Sequence, residues 1–90
     1  MKLEKIVAAL DKLLEVDKFD DVSNNGLQVA NSSREVKRVA FAVDASVRAV
    51  EAAAKAGAQL LVVHHGISWG GGIKRLTGGV GNVVKAAMKA

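Results

Sequence analysis

Two runs of uninterrupted apolar residues, Val39-Ala40-Phe41-Ala42-Val43 and Leu60-Leu61-Val62-Val63, flank an alanine-rich stretch and leave this chain few ways to fold. Runs of that length without polar alternation suit strands buried on both faces. Between them, Ser46 to Ala56 carries Val47, Val50 and Ala54 on one side. That stretch follows Asp44 or Ser46 as an N-cap and meets Gly57 as a stop, the marks of a helix. A strand, a helix and a strand with both strands wholly apolar make a βαβ unit, whose crossover is right-handed in nearly all folds and whose strands are parallel. Asp44 then leaves the carboxyl end of one strand and His64-His65 that of the other. All three reach one rim of the sheet, where open α/β folds bind ligands.

Upstream, Leu3, Ile6, Val7, Leu10, Leu13 and Leu14 recur at steps of three and four and predict an amphipathic helix from about Lys2 to Val16. Asp17 to Asn25 is rich in turn formers and reads as a loop. Gly26-Leu27-Gln28-Val29-Ala30 alternates apolar and polar and predicts a short strand, followed by a turn at Asn31-Ser32-Ser33. After His65, the glycines around Ile67, Ser68 and Trp69 read as a loop, and Val80, Val83, Val84, Ala87 and Met88 predict a last helix from about Gly79 to the end. The expected order is helix–strand–strand–helix–strand–helix, a layered α/β sheet in a single domain over residues 1–90, with no internal repeat and no linker.

Composition narrows the chemistry. The chain has 90 residues and no cysteine, which excludes disulfides, CxxC zinc sites and a cysteine nucleophile. Any metal must be held by His, Asp, Glu or Asn, and the two histidines confine that search to one place. A domain this small buries only a little over ~60% of its unfolded surface, so many such chains lean on a partner. Residues 1–51 hold eight basic and nine acidic groups, net −1, whereas residues 52–90 hold Lys55, Lys74, Arg75, Lys85 and Lys89 with no acid, net +5. An anion near the later half is favoured. No apolar run approaches the ~20 residues of a membrane span, and the start, Met1-Lys2-Leu3-Glu4-Lys5, lacks the apolar core of a secretory signal. A cytoplasmic protein is the expectation. Two phenylalanines and one tryptophan argue against nucleic acid, whose recognition wants several aromatics or a basic helix face.

Four groups of residues and one lone tryptophan are candidates for function, each with an ordinary structural alternative. His64 and His65 can each present a ring nitrogen to a divalent metal, to two ions because successive strand side chains diverge, or to one if the backbone turns. Alternatively, one packs under the loop and the other is a surface residue. Asp44 can ligate a metal, orient His64 or act as a general base, or simply cap the following helix. The glycines at 70–72 and 78–81, with Lys74 and Arg75 between them, can cradle a phosphate on backbone N–H groups or form a loop and a helix boundary. Asn24, Asn25 and Gln28 can read a substrate's polar edge or satisfy loop backbone. Trp69 can stack on a ring or make a subunit contact.

Three segments, in order and spacing, resemble the first part of the Nif-three-like family, whose members often carry the name GTP cyclohydrolase one type two. These are Ser23-Asn24-Asn25-Gly26-Leu27-Gln28-Val29, Val39 to Ser46, and Leu61 to Gly70 followed by Lys74-Arg75-Leu76-Thr77-Gly78. The resemblance spans essentially the whole chain and looks closest to the archaeal branch. It implies an α/β protein with a dinuclear divalent-metal site (zinc, manganese or iron), His64 and His65 giving one ligand to each ion, and assembly into homo-oligomers from dimer to hexamer. Asp44 matches a carboxylate near the site. The family's commoner Asp-Asn-Val-Gly-Leu loop is Ser23-Asn24-Asn25-Gly26-Leu27 here, without the acid. Family members are more than twice as long, and their further ligands, an Asp in a following strand and a His and Glu near the C-terminus, have no counterpart among these residues. The expectation is therefore the first portion of a metal-dependent hydrolase for a phosphate- or purine-type substrate, with Asn24, Lys74 and Arg75 toward that substrate. The alternative is a non-catalytic, self-associating module.

Overall fold

A computed structural model describes residues 1–15, 25–30, 35–67 and 70–89. The readings made for residues 17–24, for 31–33, for Ser68 and for Trp69 lie outside them. The described elements run in the order α1 (Leu3–Leu14), β1 (Val39–Asp44), α2 (Val47–Lys55), β2 (Leu60–His65) and α3 (Gly78–Lys89). The α/β class and the βαβ core follow the sequence pattern. β1 and β2 pair in parallel, in a register that sets Val39 against Leu60, Phe41 against Val62 and Asp44 against His65.

α2 starts where Ser46 Oγ accepts a hydrogen bond from the Ala49 N–H at 3.0 Å, satisfying one of the amides that a helix start leaves without an intrahelical partner. Asp44 is therefore not the cap. Ser46→Ala should cost about 1 kcal/mol of stability, read as a lower denaturant midpoint with an unchanged slope. Val50 and Ala53, three residues apart, are the buried positions of α2, which packs on both strands and on α3. The return from α2 to β2 is held by polar groups. Gln59 Oε1 accepts from the Lys37 and Arg38 amides at 2.9 and 3.0 Å, Gln59 Nε2 donates to the Gly57 carbonyl, and Arg38 donates to the Ala56 carbonyl. These bonds pin the start of β1 beside the start of β2, and the register at the far end follows from them.

α1 is joined to the rest by its first residues. Lys2 and Glu35 form an antiparallel bridge, the Val36 amide donates to the Met1 carbonyl at 2.7 Å, and Leu3 and Val36 are buried. The apolar stripe is buried only at this end: Leu13 and Leu14 are exposed. The helix ends at Leu14, where Glu15 takes the left-handed conformation, φ 50°; Val16, the expected end, lies outside the described residues.

Two expectations are corrected. Residues 26–30 form no strand: Gly26 sits at φ 111°, Gln28 Nε2 bonds back to the Gly26 carbonyl, and Leu27 is exposed. Alternation over five residues predicts a strand only where a neighbouring strand offers a ladder, and here the described residues supply none. The order is helix–strand–helix–strand–helix. Nor is β1 covered on both faces: Phe41 is 76% and Val43 63% exposed. Among the described residues the sheet has two strands, and α2 packs on both.

Candidate functional site

The register delivers the site. Because Asp44 and His65 are partners across a parallel pair, their side chains leave the same side of the sheet at its carboxyl edge. The Ala45 amide donates to the His65 carbonyl at 3.1 Å and ties the two strand ends together. In this setting His65 Nδ1 lies 2.9 Å from Asp44 Oδ1. Both side chains are exposed, so the pair adds little to stability and acts mainly on the orientation of the ring. The sequence reading that has Asp44 orienting His64 is corrected: the register gives it His65.

His64 and His65 do not diverge as the alternation of strand side chains leads one to expect. Their ring centroids are 4.5 Å apart and the planes are tilted by 53°. Both are exposed. His64 makes no side-chain hydrogen bond among the described residues.

The donor set suits a divalent metal in part. Imidazole suits zinc and iron, and the carboxylate that engages one ring is the usual second partner of a metal-bound histidine. A catalytic ion normally takes three protein ligands. Among the described residues no cluster of three or more metal-ligating side chains is present. His64 and His65 could supply two nitrogen donors, one short of the three protein ligands such an ion normally takes.

Among the described residues no hydrogen bond or ion pair joins Lys74 or Arg75 to this pair. Lys74 and Arg75 are exposed on the irregular stretch between Gly72 and α3. Gly78, at φ 59°, opens α3. Asn24 lies outside the described residues. Sequence reasoning overlooked Gln59, whose amide group sets the strand register. A glutamine between a helix stop at Gly57 and an apolar run was the available signal. No helix among the described residues is long and apolar enough to cross a membrane.

The chain is thus an α/β domain with a carboxylate-backed histidine pair at the carboxyl edge of a parallel strand pair. It belongs to the Duf34/NIF3 (NGG1p interacting factor 3) family, whose model matches residues 1–90. It is 56% identical over 71 residues to the GTP cyclohydrolase 1 type 2 homolog of Archaeoglobus fulgidus, an alignment covering 79% of this chain and 29% of that protein. The crystal structure of TTHA1606 from Thermus thermophilus superposes with a TM-score of 0.89 at 32% identity, over 99% of this chain and 36% of that one. The protein ybgI, described as of unknown function, gives a TM-score of 0.88 at 28% identity and the same coverage. The chain thus spans about a third of the length of the relatives it matches.

Proposed function

We propose that this chain carries the histidine-bearing part of a divalent-metal site, in a protein of the metal-dependent hydrolase type acting on a phosphate- or purine-type substrate. The observation that carries this reading is the pairing of His64 and His65 at 4.5 Å with Asp44 bonded behind His65. Zinc and iron suit the imidazole donors, manganese is the further ion the resemblance implies, and an intact site holds one or two ions. A bound divalent ion supplies Lewis-acid polarisation of a phosphoryl or carbonyl oxygen and activation of water. His64 and His65 hold it, Asp44 orients His65, and Lys74 and Arg75 attract the substrate anion from a half of the chain that carries net +5. Asn24 takes a polar edge of that substrate. The name GTP cyclohydrolase 1 type 2 homolog, borne by the archaeal relative, agrees with a purine nucleotide as the substrate class.

The test is a calorimetric titration of dialysed protein with zinc and with manganese, beside the double variant His64→Ala/His65→Ala. Saturable binding by the parent and none by the variant is expected. A parent that binds neither ion, or a variant that binds as the parent does, contradicts the reading.

A second reading has its own observation. Parallel strands are normally covered on both faces, and the open side bearing Phe41 and Val43 favours a self-associating module, from dimer to hexamer, in a cytoplasmic protein. Light scattering tests the self-association, which a strictly monomeric chain removes, and the metal titration above separates the two readings.

A further inference from the structure

We propose that Asp44 is a positioning residue that holds His65 in the Nδ1–H tautomer, so that Nε2 is the nitrogen His65 offers to a metal; the second half of this inference rests on the metal reading above. An ionised carboxylate can only accept hydrogen bonds, and a neutral imidazole carries one N–H. With His65 Nδ1 at 2.9 Å from Asp44 Oδ1, the proton sits on Nδ1 and the lone pair on Nε2. A histidine free in water prefers the opposite tautomer, so this contact reverses the default.

Three features make the contact a product of the fold. The register sets Asp44 against His65, and the Ala45 amide on the His65 carbonyl fixes their strand ends. Ser46, not Asp44, caps α2, which leaves the carboxylate available to the ring. His64 has no carboxylate partner among the described residues. The two neighbouring imidazoles are therefore inequivalent: one arrives with its nitrogen already chosen, the other must choose on binding. A partner that fixes tautomer and ring orientation typically changes metal affinity by about 10–100-fold. With both groups exposed, the lower end of that range is expected.

The experiment uses metal-free protein at mildly alkaline pH, with long-range proton–nitrogen NMR correlations read at both histidines in the parent, Asp44→Ala and Asp44→Asn. His65 should be the Nδ1–H tautomer in the parent and revert in Asp44→Ala. Asp44→Asn, whose carboxamide oxygen still accepts from Nδ1–H, should keep the parent tautomer, and His64 should be unchanged throughout. Zinc affinity, measured by competition with a chromophoric chelator, should fall about tenfold in Asp44→Ala and recover in part in Asp44→Asn. A His65 tautomer that is Nε2–H in the parent, or that ignores Asp44→Ala, overturns the proposal. A loss at both histidines together marks a collapse of the edge and also counts against it. If the tautomer follows Asp44 but no variant binds zinc, positioning stands and the metal reading falls; if zinc binds while the tautomer ignores Asp44, the reverse holds.

Discussion

Val50→Asp is expected to abolish cooperative unfolding, leaving circular dichroism with no sharp thermal transition. Val50 is one of only two buried positions on α2, the helix that packs on β1, β2 and α3 and so organises the βαβ core. The change removes roughly 2 kcal/mol of apolar burial and places a carboxylate where no described partner awaits it, at a further cost of several kcal/mol. Small domains hold only about 5 kcal/mol in total. Among the described residues no large side chain is fully buried, so no reserve of packing offsets the loss. A Val50→Asp chain that still melts in one sharp step would mean that α2 does not organise the core.

The second large effect has an unexpected sign. Glycine inside a helix normally gains about 1 kcal/mol on replacement by alanine, and Gly81 lies in the first turn of α3. Its Cβ would stand 2.5 Å from the Leu76 carbonyl oxygen and 2.6 Å from the Leu76 carbonyl carbon. Both are backbone atoms and cannot swing away as a side chain can. The approach of Leu76 also serves the bond from the Gly81 amide to the Thr77 carbonyl. Gly81→Ala must open that turn, so we expect a loss of about 1–3 kcal/mol and weaker packing of α3 on α2. Urea denaturation of the variant beside the parent gives the answer, and a raised midpoint would refute the close approach. Gly79, where an added methyl group meets only open space, is the control: Gly79→Ala should be nearly neutral or slightly stabilising.

How much of this was legible beforehand follows from what each signal measures. The βαβ unit was legible because five apolar residues ending in Asp44 and four ending in His64-His65 leave little else for those segments to do. The meeting of Asp44 with the histidines was legible as a shared rim, but not which histidine it takes. That choice depends on the register, set at the other end of the strands by Gln59 and Arg38 through bonds that no periodicity reports. The covered and open faces of β1 were not legible, because an apolar run looks the same whether the second face meets this chain's own helices or something else. Phe41 and Val43 therefore read as core and stand in solvent. The strand expected at residues 26–30 failed for a related reason: alternation records a preference of side chains, whereas a strand needs a neighbour for its amides.

Charge was read more easily than geometry. The surplus of basic groups after Glu51 is a property of the sequence, and Lys74 and Arg75 stand exposed as a solvated pair should. The ligand count of the metal edge is a matter of which residues come together. Among the described residues no group of three or more metal-ligating side chains comes together, so the sequence reading of the pair as ligands is carried by the proposal above.

The central claim is that His64 and His65 are metal ligands, and X-ray absorption at the zinc edge of the zinc-loaded protein tests it most directly. The account predicts the multiple-scattering signature of imidazole in the first coordination shell, lost in His64→Ala/His65→Ala. A shell of oxygen alone, or an imidazole signature that persists in the double variant, would contradict it.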